Sequence, residues 1–255
     1  MSAGAVQAAG ADRAAGARRS RTWVPPLVVL VLLGALWAYI GTRDLDSVES
    51  RSLTSEVVLT ALWQHIQLVV ASTLLTIVIG VPLGVLLTRP GISRAGAVVL
   101  AAANASQAVP SIGVLVILAM VVGVGFWMAV VALVLYALLP VLRNTMVGIR
   151  QVSPALIDAG RGMGMSRREI LFTIELPLAV PVMLAGIRVA LILNVGVATL
   201  AAFTNAGGLG SIISSGISLD RTPVLVVGSA LTMALALAVD WLAGLAERAL
   251  RPRGM

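Results

Sequence analysis

Residues 95–142 contain no Asp, Glu, Lys or Arg. As one helix that stretch would run to about 70 Å, more than twice the ~30 Å of a bilayer's hydrocarbon core, so it has to fold back on itself. The turn is best placed at Gly123–Gly125, with Pro110 kinking the first of the two limbs. Other apolar runs complete the pattern. Residues 23–40 form a first span, 67–88 a second after an interfacial start near Leu62–His65, 178–203 a fifth and 223–245 a last. The fold class expected is all-α and membrane-embedded, with about six transmembrane helices. One is N-terminal (23–41), and five make a core within residues 60–247.

Composition agrees, with 59% hydrophobic residues, 11% charged residues and a mean hydropathy of +1.02. The net charge of +7 comes from arginine alone, since the chain has no lysine. Those arginines flank apolar spans, which points to membrane topology instead of nucleic-acid binding. The proposed topology puts Arg43, Arg51 and Arg221 outside and the other fifteen inside, with both termini cytoplasmic. Residues 1–22 read as a basic, disordered cytoplasmic tail, and residues 248–255 as a short second one. Residues 204–221 read as an external loop. Small residues are expected to bring the helices together, Gly80 and Gly84 around Pro82 among them.

The chemistry of the chain is limited. Without a lysine there is no P-loop, and His65 is the sole histidine, so neither a multi-histidine metal site nor a Ser–His pair is expected. No enzyme activity, catalytic residue, cofactor or metal is predicted. There are no cysteines, so disulfides and thiolate chemistry are absent. Within or beside the spans, Asn104, Gln107, Pro110, Arg188, Asn194, Thr199 and Asn205 are candidates for a solute pathway. Each polar one among them can equally be hydrogen-bonding glue between helices. Arg188 is expected to snorkel to the inner face or to hold a gate through Asp158 or helix C-terminal carbonyls, and Asp240 to pair with a neighbouring arginine.

The one long polar island is residues 153–177, SPALIDAGRGMGMSRREILFTIELP. Ser153 and Pro154 make a helix start, and Leu156, Ile157 and Met163 can share one face. Gly160, Gly162 and Gly164 loosen the backbone, and Ser166 with Glu169 spells a capping box for a second short helix that Pro177 ends. The order resembles the EAA motif of bacterial ABC importer permeases: an acidic residue, two small ones, three of any kind, glycine, nine more, then Ile-x-Leu-Pro. Asp158, Ala159, Gly160, Gly164, Ile174, Leu176 and Pro177 fall on it without a gap, Arg161 and Ser166 lying between. Asp replaces the usual Glu, and Gly160 the second Ala.

That resemblance implies a coupling loop seated on a separate ATPase. A wider likeness, through residues 158–188, the AGGLG element at 206–210 and VDWLAGLAER, is to permeases that import glycine betaine, choline, carnitine or proline betaine. It implies two ATP-binding-cassette subunits, a second permease subunit (homo- or heterodimer), an external substrate-binding protein and a lipid membrane as partners, with a small quaternary amine as cargo. No nucleic-acid partner is implied. Rival readings are a permease of this architecture for another small solute, such as methionine or phosphonate, and a membrane scaffold without transport.

Overall fold

The computed structural model describes residues 23–250, and among these there are helices and turns but no strand. The tail predicted for residues 1–22 lies outside the described residues, and of the tail predicted for 248–255, residues 248–250 are instead helical, with 251–255 outside the described residues. Helix α1 (Trp23–Gly41) is followed by the short α2 (Ser47–Ser52) and by α3 (Ser55–Leu86). Next come α4 (Ser93–Ser106), α5 (Ser111–Val122) and α6 (Phe126–Arg150). The chain then forms α7 (Pro154–Gly162), α8 (Arg167–Ile170), α9 (Leu176–Val197), α10 (Leu209–Ser218) and α11 (Thr222–Leu250). By length and composition, α1, α3, α6, α11 and the joined run Arg167–Thr204 can each cross a bilayer.

Helix α6 is the hub, and α3 and α9 pack against it through missing side chains. A Cβ on Gly84 of α3 would lie 2.7 Å from the Thr145 Cβ, and one on Gly186 of α9 would lie 2.5 Å from the Asn144 Cβ. In lipid, helices gain little by hiding apolar surface, so this backbone approach and its dispersion contacts hold them together. Toward the other end the core is larger, with Leu68, Leu133, Val195 and Ala198 wholly buried.

Five sequence expectations need correction. The interfacial lead-in expected to start near Leu62 starts earlier: α3 is one continuous helix from Ser55 to Leu86, capped by the Thr54 side chain on the Val57 N–H at 3.4 Å. Pro110 does not kink a span. It stands between α4 and α5 as the residue that starts α5, with φ −55° and ψ 130°. Proline has no N–H to continue the α4 ladder, and it pushes Val109 away from helical backbone. The predicted third crossing is therefore built from two short helices, α4 and α5, beside the five helices that among the described residues have the length to cross alone.

Pro177 does not end a helix either. A π-helical turn, Leu171–Glu175, precedes it, and the Leu176 N–H bonds five residues back to the Leu171 carbonyl. That wider turn re-routes the ladder around a residue that cannot donate, and the helix runs on into α9. The run then tightens into a 3₁₀ segment, Ala198–Thr204, where a plain α-helical span was expected to residue 203. Last, residues 204–221 are not simply a loop. They contain α10, whose Leu209, Gly210, Ile212 and Gly216 are buried. Gly210 permits this, since a Cβ there would run into the Thr199 carbonyl.

Candidate functional site

The polar island folds into a corner at one end of the bundle. Pro154 opens α7 in its first turn, but Ser153 makes no side-chain cap, contrary to expectation. At the other end of α7, Gly164 takes φ +83°. Its N–H bonds the Arg161 carbonyl (2.9 Å) and the Met165 N–H bonds that of Gly160 (3.0 Å), a Schellman closure that glycine enters without strain. Ser166 and Glu169 then form the capping box. The Ser166 N–H donates to Glu169 Oε2 at 2.6 Å, and the Glu169 N–H donates to Ser166 Oγ at 3.3 Å. The bonds from the Ser166 backbone and then its hydroxyl hold the Glu169 carboxyl below its ordinary value.

The corner is braced against the spans. Gly160 is buried, and a Cβ on it would come within 2.9 Å of Ile174 Cδ1 and 3.4 Å of Ile170 Cγ1. Arg89, just after α3, reaches the largely buried Glu175 at 2.7 Å. Ile174 and Leu176 are half-buried, and Pro177 is exposed. Asp158 pairs with Arg161 at 3.1 Å, both well exposed, a contact worth a few tenths of a kcal/mol at most. Outward, α7 presents Leu156 (47% exposed), Ala159 and Met163 (75% exposed), spaced as one helical stripe. Ile157 turns instead toward a hollow beside the arginines, so the face predicted from Leu156, Ile157 and Met163 is divided.

The seven pathway candidates are not gathered into one cavity. Arg188 bonds Asp240 through Nε at 2.6 Å and reaches Glu247 at 3.5 Å, joining α9 to α11. This is the neighbouring-arginine pairing expected of Asp240, and Arg188 makes no ion pair with Asp158. Asn194 is wholly buried and donates to Thr73 Oγ1 at 3.1 Å, leaving its Oδ1 without a partner. Gln107 donates to the Tyr136 carbonyl at 2.8 Å and Thr199 to that of Gly196 at 2.7 Å. Asn104 is exposed on α4, and Asn205 is exposed in a left-handed turn with φ 57°. A largely apolar cavity of about 350 Å³ between α4, α5 and α6 is lined by Val99, Ala103, Leu115 and Tyr136 and by none of the seven.

One arrangement escaped the sequence reading. His65, fully buried, accepts the Leu209 N–H at Nδ1 (3.3 Å) while its Nε2 lies 3.0 Å from the Val195 carbonyl. Its neighbour Gln64 accepts the Gly208 N–H at 3.0 Å. Gly207 and Gly208 both have positive φ, and a Cβ on Gly207 would overlap the Gln64 amide. The glycine-rich element is thus a turn latched onto α3. The adjoining Gln-His pair was the available signal. At the same end, Arg221 pairs with Asp46 at 2.9 Å.

Several helices long and apolar enough to cross a bilayer, joined to a braced polar corner, define a multi-pass membrane protein of the helical-bundle class. The profile of the binding-protein-dependent transport system inner membrane component family matches residues 77–252, and the chain belongs to that family. It is 39% identical over 193 residues to the choline transport system permease protein OpuBB of Bacillus subtilis, covering 76% of this chain and 88% of that one. It is 38% identical over 226 residues to the osmoprotectant import permease protein OsmY of Salmonella typhimurium, covering 88% and 93%. Among solved structures, an inward-facing MetNI methionine ABC transporter matches with a TM-score of 0.67 and 26% identity, over 76% of this chain and 96% of that one. An amino acid ABC transporter, at 18% identity and TM-score 0.65, shares the fold. The chain is thus a multi-pass membrane permease subunit of the ABC importer class.

Proposed function

We propose that this permease imports quaternary-ammonium osmoprotectants such as glycine betaine, choline, carnitine or proline betaine. Two copies, or one copy and a similar partner, form the pore. Two ATP-binding-cassette subunits sit beneath it and an external binding protein delivers the solute. The solute class is supported by the relatives, whose names specify choline and osmoprotectant transport. The mechanical role is supported by one observation above all. The exposed stripe Leu156–Ala159–Met163 belongs to a helix whose other side is locked, through Gly160, onto the root of α9. An exposed apolar stripe on a polar corner seeks a groove in another protein.

In this mechanism the corner and both termini face the cytoplasm. When the ATPases close on ATP, they push α7. Gly160 on Ile174 and Arg89 on Glu175 pass that displacement to α9 and α3, and the bundle switches between inward- and outward-open forms. ATP is hydrolysed by the partners, since this chain has no lysine with which to build a P-loop. Asn104, Gln107, Thr199 and Asn205 remain proposed lining for the pathway. Asn194 and Arg188 act as struts within the subunit.

The test is ATP-driven uptake of labelled choline and glycine betaine by proteoliposomes holding the permease, its ATPases and its receptor. Accumulation of methionine or a phosphonate instead would assign the solute of the rival reading. Failure of any ATPase to co-purify would favour a scaffold. Labelling Ser166→Cys from outside intact cells checks orientation, and the proposal expects no reaction.

A further inference from the structure

Where α3 and α6 end and the long helix beginning at Arg167 starts, the structure forms a solvent-open hollow of about 590 Å³. Its wall carries Arg89, Arg150, Arg161, Arg167 and Arg168 against one carboxylate, Glu175. Arg89 neutralises Glu175, and Arg161 is held by Asp158 outside the hollow. Arg150, Arg167 and Arg168 enter none of the ion pairs among the described residues. Three exposed guanidinium groups therefore line one hollow with no ion pair among the described residues, an arrangement that an anion would complete. Buried Ile149, Val152 and Ile170 also line it, so the hollow carries both basic and apolar surface.

We propose that this hollow binds the phosphodiester headgroup of an anionic phospholipid. Planar guanidinium forks match phosphate oxygens two at a time, and basic pockets between the ends of membrane helices hold acidic headgroups. The hollow lies at the depth where the spans end, which is headgroup depth for any bilayer they cross. Arg150, Arg167 and Arg168 take the phosphate, and Ile149, Val152 and Ile170 take the glycerol and first methylenes. Inorganic phosphate offers the same charge but nothing for the apolar side. A lipid seated here wedges the α7–α8 corner against α6, so membrane composition bears on the rigidity of the corner. The inference does not depend on which solute is carried.

The full-length chain in neutral detergent is offered phosphatidylglycerol and phosphatidylcholine in equal amounts, and retained lipid is counted by native mass spectrometry. Phosphatidylglycerol is expected to be retained several-fold over phosphatidylcholine. Arg167→Gln and Arg168→Gln should each weaken retention by roughly fivefold. Arg167→Lys should keep most of it, and Arg143→Gln, away from the hollow, should change nothing. The melting temperature of each variant verifies its fold, and the Lys variant keeps the comparison usable if a Gln variant fails that check. An excess of inorganic phosphate should leave the lipid in place. Equal retention of both lipids, or unchanged retention in the Arg167→Gln/Arg168→Gln pair, overturns the proposal. Displacement by phosphate with the affinity of the lipid overturns the lipid assignment in favour of a free anion. Loss of ATPase association from the double variant with lipid retention intact makes the hollow a protein contact and overturns it as well.

Discussion

Gly160 and Ile174 touch so closely that one added carbon on the glycine would lie 2.9 Å from the isoleucine Cδ1. This contact joins helix α7 to the turn that leads into the α9 span, with only the Ile174 side chain between the two backbones. Because the glycine adds no side chain of its own, a load applied to α7 meets the packed Ile174 and Ile170 directly. The three glycines of the corner have different tasks. Gly160 is there for closeness, Gly164 for its left-handed backbone, and Gly162 has open space where a Cβ would stand.

Gly164→Trp tests the corner directly. The site has room, but φ +83° costs an L-residue roughly 1–2 kcal/mol, and the Schellman closure opens. The variant should reach the membrane in normal amounts yet hydrolyse ATP without solute uptake once assembled with its ATPases. Coupled transport at the wild-type ratio, measured in the same proteoliposomes, would refute the docking role of this corner.

Asp240→Asn leaves Arg188 with Glu247 alone, at 3.5 Å. Because a guanidinium in a span depends on its partner, a loss on the order of 2–3 kcal/mol is expected from thermal unfolding in detergent. The exchange Arg188→Asp with Asp240→Arg should recover a good part of it. Additive losses in the double variant would show that the two residues do not act as a pair.

His65→Ala removes the acceptor of the Leu209 N–H and the partner of the Val195 carbonyl in a buried place. Leaving two such groups unmet should cost about 2–4 kcal/mol and speed hydrogen exchange at Leu209 ahead of the remaining α10 amides. Gln64→Ala, which frees only the Gly208 N–H, should give a smaller effect confined to 207–208. Uniform acceleration over the whole bundle in either variant would mean that the latch is not a local device.

The capping box also predicts a pH dependence. Glu169 is held below its ordinary value, so its contribution to the corner is fully present above that value and declines as pH falls through the lowered one. The protection of the Ser166 N–H, measured as its exchange rate relative to the intrinsic rate at the same pH, should therefore fall on acidification into the carboxylate range. Glu169→Gln should remove that dependence while keeping part of the cap. An unchanged acid response in Glu169→Gln would assign it to another group.

The sequence by itself determined the class and most of the connectivity. Uncharged runs too long for one crossing had to fold back, the break fell at Gly123–Gly125, and the capping box at Ser166 and Glu169 formed as written. These are local facts: water-free surroundings demand paired backbone, and caps depend on neighbours three residues apart. Tertiary structure alone decided the rest. Whether Pro177 ends a helix or is carried through one depends on a π turn whose last residue, Glu175, is held by Arg89, distant in sequence. Whether Asn194 and Arg188 meet solute or another helix depends on Thr73 and Asp240, more than fifty residues away. A polar side chain within an apolar run does not say which neighbour it will face, because in lipid that choice is made by how closely the backbones approach, and the approach is set by pairs of small residues on different helices.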